Sequence, residues 1–218
     1  MLHQELEKLK EMLIESATLV QAMIERSIEG LLRRDRDLLL KVIEVDEPRE
    51  NNLEIEIDEK GIELIARYQP QAKDLRTIVM ILKMNNDLER MGDEAVNISQ
   101  SAIFLIDKPL VKPLIDIPRM AEESIKMVRD SLNAFLTENP ELAKEVCLRD
   151  SVVDGLRDQI WRELITFMAS DPSTIERALH LLRISRCLER VADLATNLAE
   201  DTVYIVKGEI IKHHRGEL

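Results

Sequence analysis

The pattern Leu-Glu-Arg-x-x-Asp-x-Ala-x-Asn occurs twice, at Leu88–Asn97 and again at Leu188–Asn197. Residues four apart share a helix face, so Glu89, Asp93 and Asn97 form one polar column and Glu189, Asp193 and Asn197 another. Two carboxylates at that spacing repel each other by about 0.2–0.5 kcal/mol, which calls for a positive group nearby. Folding the chain back at Gln69-Pro70 sets Asp46 opposite Asp93 and Glu50 opposite Glu89, a second acidic pair at spacing four. The turn at Ser170-Asp171 likewise brings Asp150 and Asp154 against Val191 and Cys187, beside Glu189 and Asp193.

Each half therefore offers four carboxylates and an amide without a histidine, a donor set for a hard cation such as iron, Mn, Mg or Ca, with zinc less suited. The competing reading is structural: Arg90 or Arg190 neutralises the acids, or the acids are solvated. Asn97 and Asn197 are open between ligating a cation and hydrogen-bonding a neighbouring helix.

Little else in the chain could do chemistry. His3, His213 and His214 sit near the ends and His180 stands alone, so the Glu-x-x-His pair of carboxylate-bridged di-iron proteins is missing. Cys147 and Cys187 have no Cys-x-x-Cys spacing and read as buried thiols. There is no Gly-rich phosphate loop and no Gly-x-Ser-x-Gly elbow, so an enzyme, including a carboxylate-bridged metalloenzyme, is disfavoured.

The elements that must position the acids are helices. The 218 residues are 45% apolar and 33% charged, with 3% aromatics, six glycines and seven prolines, a composition of long helices. Leu6, Leu9, Leu13, Ala17, Val20, Ile24, Ile28 and Leu31 make one apolar stripe, ending near Arg33. A second runs from Asp37 through Leu38, Val42, Val45, Leu53, Ile57, Ile62 and Ile65 to Tyr68, where Pro70 closes it. A third, from Ala72 to Ile106, uses Leu75, Val79, Leu82, Leu88, Met91, Ala95, Ile98 and Ala102.

Pro109, Pro113 and Pro118 mark an extended linker, after which helices are expected at 118–137, 140–169 and 172–207. Asn139-Pro140 and Asp171-Pro172 each place a capping side chain before a proline suited to the first helical position. Setting Lys73–Ile98 on Ser173–Leu198, 100 residues on, gives seven identities in 26 without a gap. The expected architecture is all-α, two tandem, pseudo-symmetric three-helix bundles over 1–109 and 116–218.

The net charge of −12 repels phosphate backbones and anionic lipid, so neither nucleic acid nor direct membrane insertion is expected. The N-terminus lacks the apolar core of a signal peptide and no stretch has the length of a membrane span, which points to the cytoplasm.

The doubled LERMGDEAVN and LERVADLATN, with QPQAKDLR at Gln69–Arg76 leading into the first, resemble the PhoU family of phosphate-transport regulators over nearly the whole chain. The resemblance implies two similar three-helix bundles, each binding metal through paired E(D)-x-x-x-D motifs. The matching positions are Asp46, Glu50, Glu89 and Asp93 in the first and Asp150, Asp154, Glu189 and Asp193 in the second. It further implies a non-enzymatic regulator of phosphate uptake and starvation signalling. Such a regulator works at the inner membrane through two partners, the ATPase subunit of the phosphate ABC transporter and a two-component sensor kinase, and a homodimer is a further expectation. The alternative is a helical scaffold or chaperone-like adaptor without a metal site.

Overall fold

The computed structural model describes residues 1–208, and these are helical almost throughout. The order is α1 (Leu2–Arg33), α2 (Arg36–Lys41), α3 (Glu47–Tyr68), α4 (Ala72–Ile106), α5 (Asp116–Leu136), α6 (Pro140–Ser170) and α7 (Ile175–Lys207). A π turn at Val42–Asp46 joins α2 to α3, so the two form one rod and the described residues build six long helices. The chain histidines His213 and His214 lie outside the described residues.

Local signals end the helices where the sequence places them. Arg34 takes the left-handed conformation after α1, and the Asp35 carboxylate accepts from the amides of Asp37 and Leu38 to open α2. Gln69 closes α3 in the same left-handed way. Asn139 Oδ1 accepts from the amides of Glu141 and Leu142 at 3.1 Å each, with Pro140 following as expected for a first-turn proline. Asp171 caps a short 3₁₀ turn, Pro172–Thr174, that leads into α7.

The π turn has a cause in the sequence. Pro48 supplies no amide to the carbonyl of Glu44, and its ring would crowd the preceding turn of a regular helix. Widening the turn just upstream relieves both problems without breaking the rod.

The first bundle is α1, the α2–α3 rod and α4; the second is α5, α6 and α7. They pack along α4–α7 and α1–α5, so the buried apolar side chains of both form one continuous core. All eight positions of the α1 stripe are buried. Cys147 and Cys187 are both buried free thiols, as the sequence indicated.

Two stripes differ from expectation. On the second rod the buried line runs Leu39, Val42, Asp46, Glu50, Leu53, Ile57, Gly61 and Leu64, whereas Val45 and Ile62 face outward. Two carboxylates occupy core-facing positions there, so the apolar residues alone trace the wrong line. On α4, Ile78, Ile81 and Met84 are buried while Leu75 and Val79 are exposed and Leu82 is only partly covered. Leu82 lies over Gly61 of α3, where an added Cβ would come within 2.5 Å of its Cδ2, so glycine permits this close approach.

Candidate metal-binding site

In the first bundle, α3 and α4 bring Glu47, Glu50, Glu54, Glu89 and Asp93 into one electrostatic neighbourhood. Glu50 is 1% exposed and lies against Gly92, its Cγ and Cδ within 4.0 Å of where a Cβ would stand. The small residue between Glu89 and Asp93 thus makes room for the carboxylate from α3. Ser16 Oγ of α1 donates to Glu50 Oε1 at 2.9 Å.

Burial pushes Glu50 up to about 7 against the opposing Ser16 hydroxyl, and the carboxylates of Glu89, Glu54 and Asp93 add to the rise. Glu89 is raised by partial desolvation and then by Asp93, Glu54 and Glu47, with Arg90 opposing. Asp93 is raised by desolvation and by Glu94, with Arg190 opposing. Among the described residues, no lysine or arginine forms an ion pair with any of these five acids.

Asp46 is placed differently from its three expected companions. It is buried, but its carboxylate turns to Arg26 of α1 in an ion pair. Glu47 and Glu54, which lie near the α4 acids, were missed: Glu47 is not four residues from any of them, and Glu54, four residues after Glu50, extends the α3 pair by a further turn.

The second bundle compensates its acids internally. Arg157 on α6 pairs with Glu189 of α7, with Asp154 at 3.6 Å and with Asp158 at 2.8 Å. Asp150 is buried one turn before Asp154, and Asp193 is exposed one turn beyond Glu189. Among the described residues, no group of three or more His, Cys, Asp or Glu side chains is placed so that it could hold a metal ion as it stands. The first cluster fits a hard cation by its donor chemistry, all oxygen, with a mutual repulsion that Arg90 and Arg190 offset only in part. The second fits one only with Arg157 displaced.

The arginines of the repeated motif form no ion pair with the motif's own glutamates, though Arg90 partly offsets the charge of Glu89. Arg90 pairs with Asp87 at 3.2 Å, and Arg190 reaches across to Glu94 of α4 at 3.1 Å. The asparagines also serve the seam between bundles. Arg183 donates to Asn97 Oδ1 at 2.7 Å, and Asn197 hydrogen-bonds Asp87. Lys83–Asp201 at 2.6 Å completes an antiparallel α4–α7 seam of buried acids met by the other helix. His180 of α7 stacks on Phe104 of α4 with centroids 3.9 Å apart, and burial lowers its pKa.

No described helix is long and apolar enough to cross a membrane. The PhoU domain model matches this chain twice, over residues 13–102 and 117–202. The Aquifex aeolicus phosphate-specific transport system accessory protein PhoU homolog is 44% identical over 212 residues, 97% of this chain and 96% of the relative. A Thermotoga maritima protein, PhoU homolog 2, is 34% identical over 218 residues, all of this chain and 92% of the relative.

Among solved structures, PhoU from Pseudomonas aeruginosa superposes with a TM-score of 0.92 at 34% identity, covering 96% of this chain and 100% of that one. The phosphate transport system regulatory protein PhoU from Streptococcus pneumoniae gives 0.90 at 26% identity, covering 97% and 100%. Matched across both repeats and along nearly its whole length, the chain belongs to the PhoU family of phosphate transport system regulatory proteins, which are not enzymes.

Proposed function

We propose that the chain is a metal-binding regulator of phosphate uptake and of phosphate-starvation signalling. In this reading it works in the cytoplasm at the inner membrane, through the ATPase subunit of the phosphate ABC transporter and a two-component sensor kinase. The units 1–109 and 116–218 each contribute one acidic face. The observation that carries the metal reading is the set Glu47, Glu50, Glu54, Glu89 and Asp93, five neighbouring carboxylates of which none, among the described residues, is in an ion pair, Arg90 and Arg190 acting on Glu89 and Asp93 only from a distance. Glu50, Glu89 and Asp93 would hold a hard divalent cation, iron foremost, which would supply positive charge to the cluster.

The scaffold alternative has a specific observation on its side in the second unit, where Arg157 already neutralises Glu189 and Asp154. The two units are therefore expected to load unequally, the first ahead of the second. Metal analysis of protein reconstituted with Fe(II) or Mn(II) tests this. The double substitution Glu89→Gln, Asp93→Asn should remove the tighter equivalent, and Arg157→Gln should raise loading of the second unit. Unchanged metal content in all three proteins would return both clusters to a structural role. Phosphate-dependent co-purification with the transporter ATPase or the kinase tests the regulatory assignment separately.

A further inference from the structure

The α6–α7 face beyond the second acidic cluster is apolar and unpartnered. Trp161, the only tryptophan of the chain, is 41% exposed, and Ile165 follows one turn later on α6. On the antiparallel α7, Leu179 and Ile175 lie two and three turns before Arg186 on the same face and are 54% and 42% exposed. Trp161 and Arg186 line one open depression with Arg157, Asp158 and Glu189. Large exposed apolar groups gathered on one face mark a binding surface, and tryptophan with arginine is the composition that dominates interface energies.

Charge decides the occupant. Arg157 is held by three carboxylates of its own chain, whereas Arg186, at the rim beside Trp161, has no ion pair among the described residues. The first unit has the same face in weaker form: Leu75 and Val79 stand where the second has Ile175 and Leu179, but an uncharged Asn86 stands where Arg186 does. A patch so placed recognises a segment that is apolar on one side and carries a carboxylate for Arg186. Ile175 to Arg186 spans about three helical turns, the length of a short amphipathic helix.

We propose that the α6–α7 face is a docking groove for an acidic amphipathic helix of a partner protein, with Trp161, Ile165 and Leu179 as its apolar floor and Arg186 as its charge anchor. The groove then belongs to the second repeat, the first having Asn86 in place of the charge anchor. Only the identity of the partner rests on the phosphate-transport reading; the groove itself does not.

A photo-crosslinking residue placed at Leu179 in the full chain, expressed in its own cells, tests the proposal against the same residue at Glu11 on the exposed face of α1. The crosslinked peptide from position 179 should be amphipathic with an Asp or Glu. A synthetic, tryptophan-free copy of it should blue-shift Trp161 fluorescence. Arg186→Glu should weaken binding of that peptide at least tenfold, and a peptide with its acid changed to Arg should restore it.

No crosslink above the Glu11 control, a captured peptide without a carboxylate, unchanged affinity in the Arg186→Glu protein, or a fluorescence response to inorganic phosphate alone would each overturn the groove. Capture of the transporter ATPase from position 11 but not 179 leaves the regulatory reading standing and removes the groove. Capture at 179 of an acidic amphipathic helix from a protein outside phosphate transport does the reverse.

Discussion

Glu50 shows what a single carboxylate experiences between two helices. Its folded pKa of about 7 lies above the ordinary 4.5, so the folded state holds a proton that the unfolded chain has released. The stability tied to that proton is present in full below about pH 4.5 and is lost as pH rises through 7. In metal-free protein the thermal midpoint should therefore fall between pH 4.5 and 7, and Glu50→Gln should flatten that fall. The substitution should stabilise metal-free protein at pH 8 by about 2–3 kcal/mol, read by urea unfolding across the same pH range. A pH profile unchanged by the substitution would mean that Glu50 is not the titrating group. Glu89, Asp93, Glu189 and Asp193 were legible in the sequence because duplication repeats them at one spacing. Glu47 and Glu54 were not, since only the approach of α3 to α4 makes them neighbours of Asp93 and Glu89. Arg157 was equally hidden, since only the packing of α6 on α7 brings it to Glu189 as well as to its own neighbours Asp154 and Asp158.

At the scale of the helix, Asn139 carries the clearest local instruction in the chain. Its Oδ1 satisfies two amides at the start of α6, the helix that bears Asp150, Asp154 and Arg157. Asn139→Ala should cost about 1 kcal/mol in denaturant unfolding, and Asn139→Asp should recover it. A substitution without effect would show that Pro140 alone sets this boundary. Caps and prolines of this kind are written into adjacent residues, which is why all the long helices were readable to within a few positions. The facing of α3 was not, because Asp46 and Glu50 sit on its buried line and the π turn rotates the residues before it relative to those after it. The facing of α4 failed for a different reason: Leu75 and Val79 fit the helical period but lie on an outer face, where periodicity cannot distinguish a core from a docking surface.

Across the whole molecule, the duplication is legible in seven identities while the seam between the copies is not, because its pairs join unlike residues. Glu94 meets Arg190, yet the positions that duplication relates to them are Leu194 and Arg90, and Arg90 turns to Asp87 instead. Arg190→Ala should leave the buried Glu94 without its cation and destabilise the protein by about 1–2 kcal/mol, discounted for the exposure of Arg190. A double-mutant cycle with Glu94→Leu should recover most of that loss, and additive effects would show that the pair contributes nothing across the seam.

The linker at 107–115 gives the polar seam a further meaning. Were the bundles separate molecules, an interface built on Lys83–Asp201, Asp87–Asn197, Glu94–Arg190 and Asn97–Arg183 would have to overcome the entropy of association as well as the desolvation of its charges. A short covalent tether instead holds each bundle at an effective concentration on the order of millimolar around the other. Closure of the seam is then independent of how much protein the cell makes, and the pairs along it are free to fix alignment rather than affinity.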